Sequence, residues 1–501
     1  MSIVMGIDLG TQGIKVGLVD SEGSIKGIAS LSYPTQYPKP GWVEQNPKDW
    51  WQALTDCVQT VLQDTRIPGR EVVSIGFSGH MHSLVVLDDN YTVLRPVIVW
   101  ADERAEQEAV AIRHELGDGA LKMIYNPITS SHTVAKILWL QNNEPSIVEK
   151  ASVICFPKDY LRWRLTGEWA TDPSDASGSL MYDIASGKWS TTLTAVVGMD
   201  PTKLPPILPS TQVAGALTPL AASQLGLKPG IPVVNGAGDL AAALVGSGVC
   251  REHLAAIVMG TAGQVMQMAA GDISDYLGKL YLFAHAIPGK LFGLGAVPSA
   301  GLSLSWLQQN VLCHGPEDDL LSYDSLDEMA ARVPPGSDGL VFLPYLLGTG
   351  TPHLDPNARG AFIGLTPSHD QAALVRAVME GVAFGLKENL ELFGRRSSAS
   401  GLEVRLAGGG ARSRIWRQIV ADVTGHPVRR LKCTEASALG AALLAAVGCG
   451  IFSDLVEATD QAVVVGELLT PDEKNHGIYQ ECFASYQDSY KALGQKAPFS
   501  L

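Results

Sequence analysis

Near the start of the chain Ile3, Met5 and Ile7 alternate with small or polar residues, the period of a strand. Val16, Leu18 and Val19 resume the pattern after Gly10-Thr11-Gln12-Gly13. A second turn, Asp20-Ser21-Glu22-Gly23, leads into Ile25 through Ser30, so this region reads as an antiparallel meander with a glycine-rich first turn. The pattern recurs half a chain later: Ala255 through Met259 reads as a strand, Gly260-Thr261-Ala262-Gly263 as a turn, and Val265 through Ala269 as the next strand. Both turns spell G-T-x-G, and a repeat at this spacing suggests two related lobes.

Apolar runs at Val72–Ser78, Val233–Gly238, Leu340–Leu343 and Val404–Leu406 predict further strands, each ending near small residues. Helical periodicity predicts helices over Pro47–Leu62, Thr133–Asn142, Gln371–Phe393 and Ala436–Val447. Strands alternate with helices, so the fold class is α/β. Loops are expected at the proline-rich Leu204–Pro209 and at Pro229-Gly230. The lobe boundary is expected near residue 246, giving lobes 1–246 and 247–501.

Composition narrows the classes. Hydrophobic residues make up 46% of the 501 and charged residues 18%, the balance of a packed globular protein. The formal charge of -14 argues against nucleic acid or an anionic membrane as partner, since both need a basic face. Phosphate is not excluded as a ligand, because backbone N–H groups bind it without a cationic side chain. The opening MSIVMGIDLG lacks a basic segment followed by a long apolar one, and no signal peptide is expected. Seven scattered cysteines without a C-x-x-C pair fit reduced thiols, so the expected location is cytoplasmic.

Five segments carry candidate chemistry. An acidic residue at a strand end beside a Gly/Thr turn can hold a hydrated Mg²⁺, which makes Asp8 a candidate metal ligand. Gly10, Thr11 and Gln12 would then face phosphate, with Lys15 adding positive charge. Gly260, Thr261 and Gly263 form the counterpart turn; ordinary hairpins would read the same way at both places. Gly408-Gly409-Gly410 lets a flat ring lie on bare backbone with Arg412 in the same loop; a helix N-cap loop is the alternative, but three successive glycines exceed that need. The segment Glu435–Gly440 suits either a place beside that ring or a core helix. In Asn235-Gly236-Ala237-Gly238-Asp239 an apolar strand delivers Asp239 into a glycine turn, where it can accept a hydroxyl proton, hold a metal or simply cap a helix. Trp100, Asp102 and Arg104 suit the apolar face and hydroxyls of a sugar, near His80 and His82. No G-x-x-x-x-G-K-[ST], G-x-S-x-G or H-E-x-x-H occurs, which excludes the P-loop route and weighs against hydrolase and zincin readings.

Taken together the chain resembles the FGGY carbohydrate kinases, most closely their bacterial members that phosphorylate xylulose. The likeness runs from Ile7 to about Ala446. It is carried by G-I-D-L-G-T at 6–11, W-V-E-Q-N-P at 42–47, G-x-M-H at 79–82 and T-V-A-K-I-L-W-L at 133–140. Further matches are P-K-D-Y-L-R at 157–162, D-P-S-D-A-S-G at 172–178, L-P-Y-L at 343–346, T-P-H at 351–353 and G-G-G-A-R-S at 408–413. The resemblance implies two actin-like (ribonuclease H-like) lobes with a central interlobe cleft, and ATP and Mg²⁺ as cofactors. It implies Asp239 as catalytic base, with metal contacts from Asp8 and Asp239 and sugar contacts from Met81, His82 and Asp239. The implied partners are a small-molecule sugar and ATP, with no nucleic acid and no membrane; a homodimer is the assembly considered.

The implied reaction is ATP-dependent phosphorylation of a ketose, D-xylulose to D-xylulose 5-phosphate. Another ketopentose, a ketohexose or a pentitol is the alternative, and a non-catalytic sugar sensor on the same scaffold a further one. Two departures bear on the sugar. Those relatives carry Asp-Asn where this chain has Asp239-Leu240, and Gln and Gly where it has His80 and Ser83. Both changes are expected at the sugar, where a hydroxyl left without its partner would lose about 1–3 kcal/mol.

Overall fold

The computed structural model describes residues 2–117, 120–313, 320–394 and 401–494. The chain divides into two compact units. The first comprises Met1–Cys250, Leu282–Phe292 and Glu435–Val463; the second comprises Arg251–Tyr281, Gly293–Thr434 and Val464–Leu501.

The sheet of the first unit is built on β1 (Ile3–Leu9), whose residues are all buried. β1 pairs antiparallel with β2 (Gly13–Asp20), which pairs antiparallel with β3 (Ile25–Ser32), the meander expected from the alternation. On its other side β1 runs parallel to β4 (Val72–Gly79). β5 (Val213–Ala216) and β6 (Pro232–Val234) complete the order β5-β6-β4-β1-β2-β3, and the short strand Ala237–Gly238 adds to the end of β4. The helix Pro47–Thr65 packs on β2 and β3 through a stripe that includes Trp50, Leu54, Val58 and Val61. Asn46 caps it by accepting the Lys48 N–H, Pro47 occupies the first turn, and it stops at Arg66 in the left-handed region.

The helix Ala436–Gly448 belongs to this same unit and lies against β1 and β4. Gly6 and Gly76 make that approach possible. A Cβ on Gly6 would sit 2.1 Å from the Ala438 carbonyl oxygen, and one on Gly76 would sit 2.0 Å from that of Ala441. From Ala438 to Ala446 this helix is buried, while Ala436 and Ser437 at its start are half-exposed.

In the second unit β7 (Leu254–Met259) pairs antiparallel with β8 (Gly263–Met268) and parallel with β9 (Glu403–Ala407). β10 (Val428–Leu431) runs parallel to β9, and β11 (Val465–Leu469) antiparallel to β10. The order β11-β10-β9-β7-β8 reproduces β5-β6-β4-β1-β2 with the same parallel and antiparallel relations. The G-T-x-G repeat is thus the visible part of a duplicated sheet topology. No helix among the described residues is long and apolar enough to cross a membrane.

Candidate active site

Asp8 stands near the end of β1, in register with Lys15 across β2 and with Ser78 across β4. It is 6% exposed, accepts the Ser78 hydroxyl at 2.8 Å, and burial raises its pKa. Lys15 forms an ion pair with Glu435. The adjoining turn is closed by the Gly10 N–H donating to the Gly13 carbonyl at 3.0 Å. Gln45 holds the Thr11 carbonyl at 2.7 Å, and the Trp100 indole N–H donates to the Thr11 hydroxyl at 2.8 Å. That hydroxyl therefore keeps its own proton to donate elsewhere. Gln12 is exposed at the tip.

Asp239 opens the helix Asp239–Gly246, directly after the strand Ala237–Gly238 that pairs with Ser78 and Gly79. Both acidic residues thus flank the same end of β4. Asp239 is half-buried, and its carboxylate accepts the adjacent Leu240 N–H at 2.9 Å. Desolvation, and then the negative charge of Asp8, push its pKa up to about 7. The Leu240 N–H bond favours the charged carboxylate, and desolvation outweighs it.

The turn before Asp239 is tethered from below. The Gly238 N–H donates to the Ser174 hydroxyl oxygen at 2.8 Å, and Ser174 donates to Asp172 at 2.5 Å. Asp172 pairs with the fully buried Lys158 at 3.0 Å, and Lys158 also meets Asp159 and Asp175. Met81 closes over Gly238, where a Cβ would come within 2.6 Å of Met81 Cγ. The motifs at 157–162 and 172–178 contain these residues, but no local spacing announces that they support Asp239.

The His82 ring packs 5.0 Å from His132 and 5.7 Å from Phe283. Burial lowers its pKa to about 4, so the imidazole is neutral. His80 and Ser83, expected at the sugar, are instead fully buried and bonded to each other at 2.8 Å. Burial drives the His80 pKa down to about 3, and its ring meets Trp50 edge-on at 5.6 Å. The two residues form one internal pair behind Met81, and Leu240 is the departure that remains near Asp239.

Trp100 is exposed beside Thr11, and Asp102 and Arg104 belong to a buried network. Asp102 accepts the Val43 N–H at 2.5 Å and pairs with Arg104 at 2.8 Å. Arg104 also pairs with Glu44 at 2.8 Å and stacks 3.7 Å above the Trp42 ring. Both side chains are buried within this network.

The second unit holds a cavity of about 520 Å³ at its own G-T-x-G turn. Gly260, Thr261, Gly409, Gly410 and Arg412 line it, as do Gly301, Tyr323, Asp327 and Trp416, which no sequence motif singled out. The turn is fixed by the start of the helix Gly301–Asn310: the Gly301 N–H donates to the Gly260 carbonyl at 2.9 Å and the Leu302 N–H to that of Thr261 at 3.1 Å. Gly408 sits behind the lining at φ 86°, with Met259 so close that a Cβ would meet its carbonyl oxygen at 2.5 Å. Gly263 is likewise behind it, at the start of β8, with Leu386 3.0 Å from where a Cβ would stand. Asp327 accepts the Ser413 hydroxyl at 2.8 Å, and burial raises its pKa.

Asp8 and Asp239, two desolvated carboxylates of which Asp8 raises the pKa of Asp239, form a donor set suited to a divalent cation. No cluster of three or more acidic, His or Cys ligands occurs among the described residues, so the rest of any shell would be water or phosphate oxygen.

The chain matches the N-terminal domain model of the FGGY family of carbohydrate kinases over residues 3–246 and the C-terminal domain model over residues 255–449. It is 36% identical over 492 residues to the xylulose kinase of Lactococcus lactis, covering 98% of this chain and 97% of that protein. It is 31% identical over 454 residues to the gluconokinase of Bacillus subtilis, covering 90% and 88%. The crystal structure of xylulose kinase from Rhodospirillum rubrum superimposes with a TM-score of 0.91 at 32% identity, covering 98% of this chain and 99% of that one. With both domain models matched, the sheet topology duplicated and a desolvated aspartate pair at the end of one sheet, this chain belongs to the FGGY family of carbohydrate kinases, enzymes that phosphorylate sugars.

Proposed function

We propose that this kinase transfers the γ-phosphoryl group of ATP to the primary hydroxyl of D-xylulose, yielding D-xylulose 5-phosphate and ADP. The observation that carries the reading is Asp239, a desolvated carboxylate with a pKa of about 7 just past the end of a strand, with Met81 against its turn. A carboxylate so tuned is a competent base near neutral pH. It takes the proton of the sugar hydroxyl as that oxygen bonds to the γ-phosphorus. The bond from γ-phosphorus to the β–γ bridging oxygen breaks, and ADP leaves with those electrons. Met81 and His82 contact the sugar. Gly10, Thr11 and Gln12 in residues 1–246 serve the phosphates, as do Gly260 and Thr261 in residues 247–501. Bound Mg²⁺ would neutralise phosphate charge, with Asp8 (through water) and Asp239 as the residues that would hold it.

The 520 Å³ cavity has room for a nucleoside, with Gly409 and Gly410 offering bare backbone to a flat base. A Cβ on Gly409 would meet nothing within 4 Å, so a larger side chain there should leave the fold intact. Gly409→Leu is expected to weaken ATP binding by about tenfold or more, measured by calorimetry, with sugar affinity unchanged. Unaltered ATP affinity would remove the nucleotide from this cavity.

The reaction is tested by sugar-dependent ADP release over a panel of ketopentoses, ketohexoses, pentitols and aldonates. D-xylulose should give the highest kcat/KM. The gluconokinase relative makes gluconate the second reading, and a preference for gluconate would overturn the xylulose assignment. ATP binding without ADP release on any sugar would favour a sensor instead.

A further inference from the structure

His82 is one of the few residues other than glycine with a left-handed backbone, at φ 64°. Something must hold it there, and two side chains of the helix Thr133–Asn143 do. The Thr133 hydroxyl donates to the His82 carbonyl at 3.0 Å, and the Lys136 ammonium donates to the same oxygen at 3.0 Å. Lys136 is fully buried, and its other acceptor is the Ser131 carbonyl at 2.6 Å. Among the described residues no carboxylate lies within ion-pair distance of it, and burial lowers its pKa to about 7 against the pull of the more distant Asp102. An amine buried this far and spent on backbone carbonyls is costly, charged or neutral, which makes its position informative.

The ring of His82 is fixed as well. Its Nδ1 lies 2.6 Å from the Gly178 carbonyl, an acceptor only, so Nδ1 carries the proton. A neutral ring then has a bare lone pair on Nε2. The positive charge of Lys136 further disfavours a second proton.

We infer that Lys136 is a positioning residue for sugar recognition: with Thr133 it clamps the His82 carbonyl, fixing a left-handed backbone from which the imidazole presents an unprotonated Nε2 as acceptor to a sugar hydroxyl. The inference rests on the reading that His82 meets the sugar.

The test uses the full chain with D-xylulose and ATP. Lys136→Met is expected to raise the sugar KM by about tenfold or more, with the ATP KM within about twofold of wild type. Thr133→Val, which removes one of the two donors, should raise the sugar KM by a smaller factor, and Thr133→Ser should restore it. In the ¹⁵N spectrum of histidine-labelled protein, the pyridine-type signal of His82 Nε2 should be lost or averaged in Lys136→Met. His82→Asn, a residue that tolerates the left-handed region, tests the underlying reading and should also raise the sugar KM. An unchanged sugar KM in His82→Asn overturns both that reading and the inference. A raised KM in His82→Asn, with sugar KM unmoved in Lys136→Met and Thr133→Val, overturns the inference alone. So does a parallel loss of sugar and ATP affinity with the His82 signal unchanged, since that is general damage.

Discussion

Asp239→Asn is expected to lower kcat by about 10³-fold while making the ligand-free protein more stable at alkaline pH. The first effect follows from losing the base, because asparagine fills the same space but cannot take a proton from the sugar hydroxyl. The second follows from how the carboxyl is held. Its pKa is about 7 in the fold against an ordinary 3.8, so the folded state binds the proton more tightly than the unfolded chain does. Stability is therefore lost as pH rises from about 4 to about 7 and is flat above that, with a cost of roughly 4 kcal/mol at pH 8. Asparagine avoids the cost, so the variant should melt on the order of 5–10 °C higher at pH 8 and close to wild type at pH 4. The checks are steady-state kinetics and melting curves at both pH values. Near-normal turnover would dismiss the base, and a variant less stable than wild type at pH 8 would dismiss the disfavoured charge.

Contiguity decides which parts of this molecule can be read from its sequence. β1 and β2 are legible because a meander pairs neighbours, and the alternation of Ile3, Met5 and Ile7 is set by β1 itself. Asp8 and both G-T-x-G turns are legible because each motif is contiguous and the second copy supports the first. The network around Asp102 and Arg104 is not legible in the sequence. Their partners Trp42, Val43 and Glu44 come from about sixty residues earlier, and no local pattern announces that encounter. The burial of His80 and Ser83 is hidden for a related reason: in sequence each is a polar residue next to Met81 and His82, and only the tertiary fold turns them inward, where the His80 Nδ1 meets the Ser83 hydroxyl. Trp416 and Asp327 fall outside any motif, and their place in the second unit's cavity depends on packing that brings distant helices together.

Long-range packing also sets the most damaging conservative substitution we expect, Gly440→Ala. Gly440 lies in the helix Ala436–Gly448, where it meets the helix Asp239–Gly246 backbone to backbone. A Cβ on Gly440 would stand 1.9 Å from the Ala242 carbonyl oxygen, and one on Gly246 would stand 1.8 Å from that of Ala436. The contact is reciprocal, so neither helix can shift to admit a methyl group without pushing on the other's backbone. The same helix is already pressed against Gly6 and Gly76 on the strands, which blocks retreat in that direction. An added methyl should cost about 3 kcal/mol or more through overpacking. It should also slow catalysis, because the Ser437 hydroxyl donates to the Asp239 carbonyl at 3.3 Å and any separation of the helices moves that residue. Gly477→Ala supplies the control. Gly477 sits in the helix Glu473–Gly494, where an added Cβ would meet nothing within 4 Å, so alanine there should stabilise by about 0.5–1 kcal/mol. Opposite signs for one chemical change are expected in thermal or urea unfolding. If Gly440→Ala instead melts with wild type, the two helices are not in backbone contact and the support drawn for Asp239 is wrong.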